Sequence, residues 1–260
     1  MGKNWEDVVT TVQGRLSRWR WLLPRMSYRG RVLVINNLVS SSLWHRMVCT
    51  DPPASLFSTV QRVLEGFFWD KLHWVPQSTL FLPREEGGQG LVHLASRGAA
   101  FRLQFLQRLL TGPTDLVWRP LSCCILRRLG GLGLDFSLFL MDPSRLDTAS
   151  LPPFYQSVFS IWGRVRRQRE RQQRASLHRL LQEPVLFGSI LDCPGGGDST
   201  FHRLLRTAGV LSLGQVVELT GPTMEEPAGL AAGLGLQSVT VVDQILQHWR
   251  VDWRSRSFPF

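Results

Sequence analysis

The chain has 260 residues, 43% of them hydrophobic and 19% charged, which is enough apolar material for one or two buried cores and marks a globular chain, not a disordered one. Its formal net charge of +10 is unevenly spread: 14 basic residues stand against 7 acidic over 1–110, 11 against 5 over 111–180, and 5 against 8 over 181–260. The positive field therefore belongs to the first 180 residues and suits a polyanionic partner, while the remainder is electrostatically indifferent.

Asn4 is a candidate N-cap, and Trp5, Val8, Val9, Val12, Leu16 and Trp19 recur at helical spacing. This first helix is expected to run to about Trp21, with Arg15, Arg18 and Arg20 off its apolar stripe and Pro24 ending it. A second helix opens near Ser27 and turns Tyr28, Val32, Ile35, Val39, Leu43 and Met47 inward until Asp51-Pro52-Pro53 stops it. A third, from Ser55, aligns Leu56, Val60, Val63, Leu64 and Phe67.

Trp69, Trp74, Leu80, Phe81 and Leu82 then bring apolar surface to a segment too short to bury it alone. Gly87, Gly88 and Gly90 supply the backbone freedom of a tight reversal, so a two-stranded β-hairpin is expected here. Ser96 is expected to cap the next helix, with Ala99, Ala100, Leu103, Leu106 and Leu110 inside and Arg97, Arg102 and Arg108 outside, and Gly112-Pro113 terminates it.

Trp118 to Leu129 reads as a further helix, followed by the turn Gly130-Gly131-Leu132-Gly133 and the apolar run Phe136 to Met141. Residues 142–152 read as a polar linker. Pro152-Pro153 opens a helix carrying Phe154, Val158, Phe159, Ile161, Trp162 and Val165, which continues into Arg164–Arg174, where six arginines face one glutamate. Such a run either grips phosphates without reading bases or is simply a solvated helix end. Past Gly195-Gly196-Gly197, short helices are expected near Ser199, at Ser212 with Gln215 as capping-box partner, and from Ser238 through Val242, Ile245 and Trp249. The fold class expected is mainly α.

Some of these residues also carry a resemblance. Phe67-Phe68-Trp69, Leu82-Pro83 and Gly87-Gly88-Gln89-Gly90-Leu91 resemble the region behind the catalytic core in reverse transcriptases of LINE-type non-LTR retrotransposons. Asn4-Trp5, Leu16-Ser17-Arg18-Trp19, Leu22-Leu23, Ser27-Tyr28-Arg29-Gly30-Arg31 and Val34-Ile35-Asn36 resemble the thumb that follows the palm in those polyproteins. The motifs fall in the family's order from Asn4 to about Phe139; beyond Pro152 the chain resembles only the tail of such elements in vertebrate, especially fish, genomes. The resemblance implies a thumb-like helical bundle over 1–70 and a post-thumb region behind it; the residue pattern divides the rest into a hairpin and helices over 71–141, a linker at 142–152, and a basic helix with a small helical tail over 153–260. The resemblance also implies that the thumb holds a template–primer duplex of RNA or DNA by its backbone, with Arg18, Arg20, Arg25, Arg29 and Arg31 as the matching residues. Arg164, Arg166 and Arg167 of the basic run are added to them on charge alone.

Catalysis is not expected of this chain. A reverse transcriptase holds two metal ions on carboxylates that include an adjacent Asp pair, and this sequence contains no Asp-Asp. No metal, cofactor or small-molecule substrate is expected. His45 and Cys49 stand one helical turn apart, but without a second pair they read as a core histidine beside a buried cysteine. Gly87-Gly88-Gln89-Gly90 lacks the Lys-Ser/Thr of a phosphate loop and reads as a turn. Cys49, Cys123, Cys124 and Cys193 form no C-x-x-C pair, so reduced thiols in an intracellular compartment are expected, with nucleus and cytoplasm unresolved. No apolar run reaches the ~20 residues of a membrane helix. The alternative to nucleic-acid binding is a non-catalytic helical scaffold that contacts another protein.

Overall fold

A computed structural model describes residues 5–53, 55–70, 73, 75–129, 132–172, 178, 181–186, 200–221, 224, 226–240, 242–244 and 246–247, with only the backbone for 170–172 and 200–202. The chain is mainly α-helical and groups into two compact units, Met1–Arg108 and Leu109–Phe260. Asn4, Trp74, Gly130, Gly131, Arg174, Cys193, Gly195 to Gly197, Ser199, Ile245 and Trp249 lie outside the described residues.

In the first unit, α1 (Val8–Ser17) leads through a 3-10 turn (Arg20–Arg25) to α2 (Tyr28–Leu33), which runs through a π-helical stretch (Val34–Ser40) into α3 (Ser41–Cys49). After α4 (Leu56–Trp69) come the single turn α5 (Gln77–Phe81), a 3-10 turn (Arg84–Glu86) and the long α6 (Leu94–Thr111). The apolar periods pack as expected: Val8, Val12 and Leu16 of α1 meet Val32, Ile35 and Val39 and the α4 residues Val60, Leu64 and Phe67 in one core. Each fully buried aliphatic or aromatic side chain here removes surface worth about 1.5–3 kcal/mol.

Several boundaries differ from the periodic reading. Helix α1 starts at Val8 with Asp7 at its cap and stops at Ser17, and Pro24 lies inside the 3-10 turn that follows. Tyr28 is not inward. It stays 40% exposed and rests against Phe68 with ring centroids 5.2 Å apart. Ser96 does not cap α6, which already begins at Leu94; His93 precedes it, and its Nδ1 lies 2.8 Å from the Ser96 hydroxyl. At the far end of α6 Leu109 is buried and Leu110 exposed, a one-residue shift of the stripe.

The expected β-hairpin is absent, and no strand forms among the described residues. Gln77–Phe81 coils into a helical turn after Pro76, and Pro83 can donate nothing to a ladder. The reversal itself survives. Gly87 and Gly90 take φ of +80° and +66°, and the amides of Gly90 and Leu91 donate to the carbonyls of Leu82 and Leu80 at 2.9 Å each. The strand-like segment that follows finds side chains where a partner strand would be: Asn36 donates to the Gly90 carbonyl (2.8 Å) and accepts from Val92 N–H (3.0 Å), and buried Gln61 accepts from Leu94 N–H (2.9 Å).

The second unit holds α7 (Trp118–Leu126), 3-10 turns at Phe136–Phe139, Pro143–Arg145 and Thr148–Ser150, then α8 (Pro153–Gln172), α9 (Thr200–Thr207), α10 (Leu213–Thr220) and α11 (Pro227–Gly233). Asp142 and Asp147 cap their 3-10 turns, and Leu146 and Leu151 are buried, so the 142–152 stretch is packed within this unit. Phe139 stacks on Phe159 of α8 at 4.6 Å. The capping box of Ser212 and Gln215 forms as the sequence indicates. The chain enters it through a bridge in which Leu213 N–H donates to Glu183 O at 2.8 Å.

Candidate nucleic-acid interface

The sequence sets arginine every few residues around the α1–α2 junction, and the fold decides which of them face water. Arg18 is the C-cap of α1, Arg20 and Arg25 open and close the 3-10 turn, and Arg29 lies in the first turn of α2. All four are exposed and have no internal partner among the described residues. Burial of Leu23 pins the middle of the turn, so a short, fixed arc carries these four cations.

Arg31 behaves differently. Its Nη1 donates to the Phe68 carbonyl at 2.7 Å and its Nη2 to the Leu23 carbonyl at 3.0 Å, while the guanidinium lies 5.2 Å from the Tyr28 ring centroid. These bonds tie the 3-10 turn to the end of α4, and so hold the arc in place from within. Trp19 is half-buried against the core, whereas Trp21 is 73% exposed.

Beside the arc, a cleft of about 470 Å³ is lined by Gln13, Leu16, Ser17, Arg20, Leu23, Val63, Gly66, Phe67 and Asp70. Asp70 ends α4 in the left-handed conformation, with φ of 48°. Its carboxylate shares the cleft with Arg20, so the cleft is of mixed charge while Arg18, Arg25 and Arg29 extend the basic surface.

In the second unit, Arg164, Arg167 and Arg169 of α8 are exposed. Arg166 is drawn inward: Nη1 donates to the Met141 carbonyl at 2.7 Å and to Leu140 O, and Nη2 lies 3.4 Å from Glu183 Oε1. Burial pushes the nearby Asp142 carboxyl up, but hydrogen bonds from Ser144 N–H and hydroxyl, aided by Arg166 and Arg145, outweigh it and leave the group below its ordinary range.

Other candidate chemistry dissolves on inspection of the geometry. His45 and Cys49 are both exposed on α3, not a buried pair, and no cluster of three metal-ligating side chains occurs among the described residues. Arg102, expected on the outside of α6, is 3% exposed. Gln61, which the periodic reading passed over, is the buried amide that seats the start of α6; a glutamine beside Val60 within an apolar stripe is the sequence signal that marks it.

No family model matches the chain, and no solved structure matches it. The chain is similar to the transposon TX1 uncharacterized 149 kDa protein of Xenopus laevis, with 28% identity over 249 residues, covering 95% of this chain and 19% of that protein. It thus spans about a fifth of the relative's length. By this match the chain is related to a transposon-encoded protein.

Proposed function

We propose that these residues form the nucleic-acid-holding, non-catalytic part of a retroelement RNA-directed DNA polymerase, in which the first unit serves as the thumb. The observation that carries the reading is the arc of Arg18, Arg20, Arg25 and Arg29, four exposed cations on one pinned turn without internal partners among the described residues. The transposon relationship, the ordered thumb-like motifs and the helical first unit support it. A guanidinium fork pairs with phosphate oxygens in two parallel bonds, so such an arc holds a backbone track and positions it without selecting a sequence. Arg31 acts here as a positioning residue for the arc, and Arg164 and Arg167 offer a separate basic surface on α8.

The test is binding of a labelled RNA–DNA hybrid by the full chain across a salt series. Binding should weaken steeply as salt rises, and Arg18→Glu, Arg25→Glu and Arg29→Glu together should lower affinity alike for unrelated sequences and flatten the salt slope by roughly one unit per lost phosphate contact. Salt-insensitive binding, or a loss confined to one sequence, would overturn the reading.

A further inference from the structure

An indole that is 73% exposed stands on the 3-10 turn that carries the arginine arc. Trp21 follows Arg20 directly in the 3-10 turn Arg20–Arg25, with Arg18 just before the turn and Arg25 closing it. The backbone beneath is fixed by buried Leu23, whose carbonyl accepts from Arg31 Nη2 at 3.0 Å. The indole is thus an exposed aromatic face on a fixed backbone amid exposed cations, which complements a nucleobase attached to its phosphate.

We infer that Trp21 is a stacking platform for an unpaired base, so that the first unit prefers a strand with accessible bases, such as the single-stranded end of a template, over a sugar–phosphate backbone alone. This deepens the proposed function and rests on it. A base presents a flat π face of any sequence, and the flanking guanidiniums take the phosphates on either side, so the contact discriminates paired from unpaired residues without reading sequence. A docked apolar protein segment would leave the surrounding arginines to be desolvated without partners, and is the disfavoured occupant.

The experiment compares wild type and Trp21→Leu, in the full chain, for a short labelled oligothymidylate and an abasic strand of equal length. Leucine keeps apolar area but removes the aromatic face, and at so exposed a site the melting temperature should not move. Wild type should bind the base-bearing strand about tenfold better than the abasic one, and Trp21→Leu should abolish that preference while leaving abasic binding and the salt slope unchanged. Equal binding of both strands by wild type, or a preference that survives in Trp21→Leu, overturns the stacking role while leaving backbone binding intact. Absence of salt-sensitive binding to either strand overturns this inference alone if the RNA–DNA hybrid is still bound, and removes the proposed function with it if the hybrid is not bound either. Retention of both strands by Trp21→Leu with loss of a co-purifying protein would assign Trp21 to a protein contact and also overturn the inference.

Discussion

Arg102 Nη1 donates to the backbone carbonyl of Met47 across 2.8 Å, joining α6 to the last turn of α3 over 55 residues of sequence. The same guanidinium donates to Thr50 O at 3.0 Å and grips Asp51 Oδ1 through both Nε and Nη2. Carbonyls at a helix C-terminus have no intrahelical donor, and here a buried cation serves them while Asp51 balances its charge. Arg102→Ala should therefore destabilise the first unit by about 3–5 kcal/mol, since it removes the buried guanidinium that bonds the Met47 and Thr50 carbonyls and the Asp51 carboxylate. Arg102→Lys should recover only part of this, because an ammonium cannot reproduce the fork. Denaturant unfolding checks both.

Asn36 and Gln61 stand in for a missing strand along Gly90 to Leu94. Asn36→Ala should cost about 1–3 kcal/mol, the penalty for leaving the partly buried Val92 N–H unmet, while the exposed Gly90 carbonyl turns to water. Amide hydrogen exchange at Val92 should accelerate in Asn36→Ala and at Leu94 in Gln61→Ala. Unchanged protection at both would show that the amides are passengers.

Arg31 and Arg29 are two positions apart yet predict opposite phenotypes. Arg29→Ala should leave the melting temperature unchanged and weaken nucleic-acid binding. Arg31→Ala, which removes the donor to the Phe68 carbonyl and leaves Leu23 O with the Met26 N–H alone, should cost about 1–3 kcal/mol of stability. Paired thermal melts and binding titrations separate the two outcomes.

Asp142 caps the Pro143–Arg145 turn with its carboxyl held below the ordinary value of 3.8. A group whose folded pKa is depressed contributes stability that is complete above the unfolded value and disappears as pH falls through the folded one. Acid unfolding of the second unit should thus begin below about pH 4, and Asp142→Asn should lower stability at neutral pH while flattening the acid limb. A parallel acid limb in the variant would contradict the assignment.

Burial pushes the Cys123 thiol up, with the Asp135 charge adding to it, whereas Cys124 and Cys49 are exposed. Thiolate is the reacting form. At neutral pH a maleimide followed by mass spectrometry should label Cys49 and Cys124 well before Cys123.

Local signals in the sequence carried much of the helical architecture. Val8, Val12 and Leu16, or Ile35, Val39 and Met47, mark their buried faces by spacing alone, and Ser212 with Gln215 marks a helix start, because both depend on residues within a turn or two of one another. Of the retroelement resemblance, the transposon relationship alone has its counterpart in the similarity to a transposon protein.

The destinations of the arginines were another matter. Arg29 and Arg31, Arg164 and Arg166, or Arg97 and Arg102 look alike in a periodic reading, yet Arg31, Arg166 and Arg102 turn toward backbone carbonyls. Each of those carbonyls is brought within reach by a distant segment, 37, 25 and 55 residues away. The hairpin failed for the same reason, since Asn36 and Gln61 supplied from other helices the hydrogen bonds that a second strand would have made. Sequence spacing determines which side chains share a helix face, because that geometry repeats every turn. Where an unmet carbonyl lies is settled by how the helices pack, and so only the tertiary structure divides the arginines that hold the fold from those left exposed.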